Sequence, residues 1–316
     1  MASSTHFVEQ EKSIHFHGLT LAGTLCLHES VVPQKVVLMI PGSGEVDRNE
    51  NAMKLQLNIL NSLAHSLAQA GIASLRFDKR GCADSEGRYH ETGFYDFVDD
   101  AGQWLEALDT FAELNTAERY LLGHSEGTLI AAFLSVRNPG IKGQILLTPF
   151  LENMELLIER QLRQTLDEVS LLTGIKGLVV RLFLRLSGNQ LKRQRKVMRK
   201  IKNSNMHSIK IKKSLINAKW LRELCGIEPA DVFCKVSVAT LAIGGEKDLQ
   251  CLPNDANKMV ELVSEPVECH VLDNLTHILR SDEEAPSTFR YKQLSEDPID
   301  SRVSELILKW LQKTQQ

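Results

Sequence analysis

From Val36 to Phe150 the chain alternates short, unbroken apolar runs with longer stretches in which apolar residues recur every three or four positions. VVLMI, Val36 to Ile40, has no polar position, as a strand covered on both faces requires. It ends in PGSGEVDRNEN, a loop rich in glycine and polar residues. Between Met53 and Ala70, Leu57, Leu60, Ala64, Leu67 and Ala68 share one side of a helix that Gly71 stops. IASLRFD then predicts a strand, Phe94 to Phe111 a helix and RYLLGHS a strand. Glu126 to Arg137 follows as a helix closed by NPG, and GQILLTPF as a strand. Ahead of these, SIHFHG and LTLAGTLCLH predict a hairpin turning at Gly18 and Leu19. Such alternation argues for an α/β fold, a mostly parallel sheet with helices on both faces.

The pattern breaks at Leu151. Up to Cys234 no strand pattern stands out, and the stretch reads as several helices. Alternation resumes with VATLAIGGEKD, a helix from Pro253 to Val263, the strand VECHVLDN and a closing helix from about Pro298 to Leu311. The expected organisation is one core domain, residues 1–150 and 235–316, with a helical insertion, 151–234, after the sixth strand. At 43% hydrophobic residues the 316-residue chain can bury a large core. Its net charge of −3 does not suggest a nucleic-acid binder, but charge is unevenly spread. Gln190 to Lys213 carries ten Lys and Arg and no Asp or Glu. A solvated helical face accounts for this, and so does attraction to an anionic substrate or an anionic membrane surface. It has no aromatic residues to stack on bases, so nucleic acid is not expected. LLTGIKGLVVRLFLRL, Leu171 to Leu186, is apolar on more than one side, which suits a pocket wall, a lipid contact or a buried helix. Lys176, Arg181 and Arg185 interrupt it, and it falls short of the ~20 apolar residues that span a bilayer. No secretory signal is evident, and six cysteines without a CxxC pair point to reduced thiols in the cytoplasm.

The chemistry gathers at Gly123-His124-Ser125-Glu126-Gly127. A G-x-S-x-G between strand and helix is the pattern of a nucleophile elbow, a strained turn that exposes the serine at its tip. An ordinary strand-to-helix turn with a capping serine would share the pattern. A serine hydroxyl needs a base to take its proton, and in this arrangement an acid and then a histidine follow at later strand ends. Asp248, after TLAIGGEK, and His277, in LDNLTHILR, are in that order. Asp255 and Asp273 are rival acids: Asp255 falls inside a predicted helix, and Asp273 lies four residues before His277. His124 is expected to pack under the turn. An oxyanion hole requires two backbone N–H groups. Glu126 is the candidate for one, and Ser43, with Gly44 second, for the other. The Glu126 side chain suits the start of a helix dipole. The Pro41-Gly42-Ser43-Gly44 loop lacks both a following Gly-Lys-Ser/Thr and the GxGxxG spacing, so no nucleotide cofactor is expected, and no metal.

With these residues assembled, the chain resembles the α/β-hydrolase superfamily over about Ser13 to Phe150 and Val236 to Leu311. It is most similar to cap-bearing, bacterial-type esterases grouped with serine aminopeptidase-like hydrolases. Their oxyanion loop reads like H-G-S-G-P-x-D-R and their elbow G-H-S-E-G; here the matching stretches are PGSGEVDRNEN and GHSEGT. FDKRGCADSEG resembles a further superfamily turn, in which Arg80 and Asp84 brace the loop. Pro41 stands for the usual histidine, Glu45 for a proline and Thr128 for a second glycine; none removes a catalytic group. The resemblance implies a Ser125–His277–Asp248 triad acting on esters without a cofactor, with the insertion as a cap. A thioesterase or an aminopeptidase/amidase on the same scaffold remains open, and so does a catalytically silent binding protein.

Overall fold

The alternating runs assemble into an eight-stranded sheet in the computed structural model, which describes residues 6–52, 55–174, 177–179, 182 and 188–314. The strands are β1 (Phe7–Phe16), β2 (Leu19–His28), β3 (Lys35–Ile40), β4 (Ala73–Phe77), β5 (Glu118–His124), β6 (Ile141–Leu147), β9 (Ala239–Gly245) and β10 (Val267–Leu272). A separate hairpin in the insertion holds β7 (Ser208–Ile211) and β8 (Ser214–Asn217). The order across the large sheet is β1-β2-β4-β3-β5-β6-β9-β10. Pairing is antiparallel at β1–β2 and β2–β4 and parallel elsewhere. Helices α1 (Ile59–Gln69), α2 (Phe94–Ala107), α3 (Glu126–Arg137) and a closing helix, Ser301–Lys313, cover the faces. Successive residues of β3 explain why its run is unbroken. Val36, Leu38 and Ile40 join a core with residues of α2 and α3, whereas Val37 and Met39 join one with α1 and the closing helix.

Several expected boundaries move. The first hairpin turns at His17 and Gly18, both at positive φ (51° and 74°), with Phe16 opposite Leu19. With both central residues at positive φ the loop is of the I′ kind, a conformation Gly18 takes freely and Leu19 would not. Helix α1 starts at Ile59, not Met53, because Ala52 and Leu55 pair as an isolated bridge and Asn58 sits at φ 49°. Helix α2 ends at Ala107, and two short 3-10 turns carry the chain onward. The closing helix runs two residues past the expected end at Leu311, starting where the Asp300 carboxylate accepts the Arg302 N–H at 3.0 Å.

The insertion is not purely helical. Helix α4 (Met154–Leu171) leads, the basic stretch forms the helix Gln190–Lys202, and the β7–β8 hairpin follows, turning through Lys212 at φ 56°. Each strand has only four residues, too few for alternation to show in the sequence, and the hairpin packs Ile209 inward. Two short helices, Ala218–Cys225 and Pro229–Phe233, return to β9. Asn153 ties the ends of the insertion together, its amide donating to the carbonyls of Cys225 and Ile227 at 3.2 and 3.1 Å. Much of Leu171 to Leu186, including Lys176, Arg181 and Arg185, lies outside the described residues. Among the described residues no helix is long and apolar enough to cross a membrane.

Candidate active site

At the end of β5, Ser125 adopts φ 53° and ψ −117°, a conformation L-residues avoid. The turn is held by the Ser125 N–H on the Leu147 carbonyl and by the Thr128 N–H on the Ser125 carbonyl, both at 2.9 Å. Its glycines are needed for space. A Cβ on Gly123 would stand 2.1 Å from the Gly127 carbonyl oxygen, and one on Gly127 would stand 2.2 Å from that of Ile40. Gly127→Ala is therefore expected to destabilise the protein by more than about 3 kcal/mol, because the clash is with backbone that cannot yield. Chemical denaturation checks this; a loss under about 1 kcal/mol, the cost of an ordinary surface change, would contradict it.

Ser125 and His277 line one cavity of about 120 Å³, with Gly42, Ser43, Leu57 and Tyr291. His277 is buried in the loop after β10, and its Nδ1 lies 2.8 Å from Asp248 Oδ2. Asp248, also buried, follows β9, and its Oδ1 accepts the N–H groups of Gln250 (2.7 Å) and Cys251 (2.8 Å). Both carboxylate oxygens are thus committed, which fixes the face turned to His277. With Nδ1–H donated to Asp248, His277 Nε2 is left as the basic nitrogen. The rival acids go elsewhere. Asp273 is exposed, and its carbonyl takes an Arg302 N–H at 2.9 Å. Asp255 is buried in the helix Asn254–Leu262, where it accepts the Leu151 N–H at 3.0 Å and pairs with Lys258 at 2.9 Å.

A second cavity, also about 120 Å³, lies against Ser125 and is walled by Phe150, Met154, Leu157, Ile158 and Trp220. Ser43 and Gln250 line both cavities, and Glu126 lines the second. Gly42 gives its N–H to the Glu50 carboxylate, and Gly44, at φ 104°, lines neither cavity. The loop is anchored behind by Arg48, whose guanidinium binds Asp78 at 2.6 Å and Asp84 at 2.7 Å. Arg80 pairs with Asp100, again away from the cavities. Glu45 turns outward to His90, at 2.8 Å.

Two carboxylates have roles that the sequence hid. The Glu126 side chain is buried between Lys79 Nζ (3.1 Å) and the indole N–H of Trp220 (2.9 Å). It joins the elbow to the insertion, a long-range contact that no local spacing reveals. Glu50, in the polar loop after β3, reads as a solvated residue. Yet it is 3% exposed and sits at φ 64°. Its Oε1 lies 3.0 Å from His124 Nδ1, and His124 Nε2 lies 2.9 Å from the His277 carbonyl. His124 does pack under the turn, as its position implied. Both its nitrogens face oxygen acceptors, which the doubly protonated ring satisfies. Burial pulls its pKa down, but the Glu50 carboxylate and the His277 carbonyl outweigh burial and hold it above the ordinary histidine value. A raised folded-state pKa means stability that is full below about pH 6.5 and is lost as pH climbs through the raised value. Wild-type denaturation midpoints are expected to fall across that range more steeply than those of His124→Gln; parallel profiles would contradict this.

Cys251 is buried beside Ser125, and burial pushes its thiol well above the ordinary value despite a hydrogen bond with that serine. It is a neutral thiol and a poor rival nucleophile. Asp248, Cys251 and His277 bring potential metal-ligand atoms within 4.8 Å of one another, as do Glu9, Cys26 and His65. A hydrogen bond already joins the first trio's acid and histidine, and Arg76 already occupies Glu9 at 2.6 Å.

A family model described as serine aminopeptidase, S33 matches residues 53–284. No curated protein matches the chain significantly by sequence. Among solved structures, Est1E from Butyrivibrio proteoclasticus, bound to ferulic acid, aligns over 94% of this chain and 98% of its own, with TM-score 0.61 and 15% identity. The Pyrococcus furiosus esterase Pf2001 aligns over 97% and 91%, with TM-score 0.59 and 15% identity. The thioesterase domain from the curacin biosynthetic pathway aligns over 95% and 99%, with TM-score 0.54 and 17% identity. At such identities the likeness is one of fold.

Proposed function

We propose, for a chain that belongs to the serine aminopeptidase, S33 family of α/β hydrolases, that it is a serine hydrolase cleaving carboxylic esters through an acyl-enzyme. The observation that carries this is the junction at Ser125: a strained serine between two cavities, one of which also holds a histidine bonded to a buried aspartate. Ser125 Oγ attacks the ester carbonyl. His277 Nε2 takes the serine proton, gives it to the departing alcohol, and then activates water to release the acid. Asp248 keeps the His277 proton on Nδ1 and stabilises the imidazolium as it forms. Charge on the carbonyl oxygen is met by the N–H groups of Ser43 and Glu126, with Gly44 in reserve.

One cavity takes the acyl group and the other the alcohol. Each holds about 120 Å³, roughly four waters at ~30 Å³ apiece, which favours short groups. The carboxylates that line them are engaged, Glu126 by Lys79 and Trp220 and Glu50 by His124. This favours a neutral acyl group over one with a free amine, and therefore an esterase over an aminopeptidase. Residues 151–234 act as the cap, supplying Met154, Leu157, Ile158 and Trp220 to the second cavity, over a core formed by 1–150 and 235–316.

A panel of p-nitrophenyl esters, acyl-CoAs and aminoacyl anilides tests the reading. Acetyl and butyryl esters are expected to be cleaved faster than palmitoyl esters, and anilides hardly at all. Turnover of anilides without esters would make the protein a peptidase, and turnover confined to acyl-CoA a thioesterase.

A further inference from the structure

Only part of the basic stretch is spent on internal ion pairs. On one side of the helix Gln190–Lys202, Arg195 pairs with Glu159 at 2.6 Å and Lys202 with Glu155 at 2.8 Å, both on α4. On the other side, Lys196, Arg199 and Lys200 face Lys210 and Lys212 of the β7–β8 hairpin across a groove of about 710 Å³. Among the described residues, no carboxylate forms an ion pair with any of these five. All five are exposed, and half-buried Val197 and Ile211 lie between them.

The nature of the surface decides between anions. A site built for one small phosphate would hold it with buried, fixed donors; here the donors are exposed, solvated side chains. A single-stranded nucleic acid would want aromatic platforms, and residues 190–213 hold no Phe, Tyr or Trp. Exposed apolar side chains accompany the cations instead: Met206 (64%) and Leu215 (46%) at the hairpin, with Leu171 (78%), Leu178 (62%) and Leu182 (56%) elsewhere in the insertion. Leu215 stands directly opposite Lys210 across the hairpin, and cations beside exposed aliphatic residues fit the headgroup region of a negatively charged bilayer.

We propose that the face formed by the helix Gln190–Lys202 and the β7–β8 hairpin docks on the surface of an anionic phospholipid membrane. The lysines and arginines bind lipid phosphates and carboxylates, while Met206 and Leu215 enter the headgroup boundary. The ion pairs to Glu155 and Glu159 tie this face to α4, the helix that walls the second cavity.

Co-sedimentation of the full chain tests this, with vesicles of phosphatidylcholine alone and of equal parts phosphatidylcholine and phosphatidylserine. The protein is expected to pellet with the mixed vesicles only, and to be released by added salt. Each cation removed should weaken binding about fivefold. The combined variant Lys196→Ala, Arg199→Ala, Lys200→Ala, Lys210→Ala should therefore lose more than about a hundredfold. Met206→Ser with Leu215→Ser should weaken vesicle binding while leaving binding to heparin unchanged. Thermal melting separates loss of docking from loss of fold. Equal binding to both vesicle types would overturn the proposal, as would a combined variant that folds and binds like wild type. So would a wild type that ignores mixed vesicles yet retains single-stranded RNA.

Discussion

Replacing Ser125 with alanine is expected to lower kcat toward p-nitrophenyl acetate by about a million-fold while the protein keeps its fold. The size follows from the chemistry assigned to one atom. Without Oγ no acyl-enzyme forms, and His277 can only assist direct attack by water, aided by whatever the oxyanion donors still supply. The fold survives because the turn is held by backbone bonds, from the Ser125 N–H to Leu147 and from the Thr128 N–H to Ser125. Alanine must still adopt φ 53°, so a small loss of stability accompanies the large loss of activity. Steady-state kinetics with a denaturation curve separate the two. Residual activity within about tenfold of wild type would remove Ser125 from the mechanism.

Asp248→Asn is the second large effect, about ten-thousand-fold in kcat. The asparagine side chain is nearly isosteric with the aspartate it replaces, and the Gln250 and Cys251 N–H groups, at 2.7 and 2.8 Å, need an acceptor. The amide oxygen therefore turns to them and the NH₂ group faces His277. That amide cannot accept from Nδ1, so the ring proton moves to Nε2, where the base is needed. The ring stays in place in the wrong tautomer, and KM changes far less than kcat. Asp273→Asn is expected to alter kcat less than about twofold, as for other surface changes. If Asp273→Asn removed activity and Asp248→Asn did not, the acid would have to be reassigned.

How much of this was legible depended on the range of the interactions involved. The unbroken apolar run of β3 announced burial on both faces, because a polar residue in such a strand needs a buried partner, as Lys35 at its start finds in the Leu311 carbonyl. Glu126–Arg137 was bounded by chemistry at both ends, the elbow before it and Asn-Pro-Gly after it, and its limits hold. Ser125, His277 and Asp248 could be picked out because each follows a recognisable strand. The acid stayed open, since spacing cannot say whether Asp248 or Asp273 turns toward His277. The start of α1 was misread because leucines at helical spacing continue upstream, while Asn58 at φ 49° breaks the helix. The β7–β8 hairpin was missed because four-residue strands leave too little alternation to see. Glu50 and the Glu126 side chain were missed for another reason. Their partners His124, Lys79 and Trp220 lie 74, 47 and 94 residues away, and a buried charge in a polar stretch looks like a solvated one.

The central claim is that Ser125 is a working nucleophile. It is tested most directly by labelling the folded protein with a fluorophosphonate and mapping the adduct by mass spectrometry, with Ser125→Ala alongside. The account predicts a single adduct on Ser125 in the wild type and none in the variant. A folded wild type that does not react, or an adduct on another residue that persists in Ser125→Ala, would contradict it.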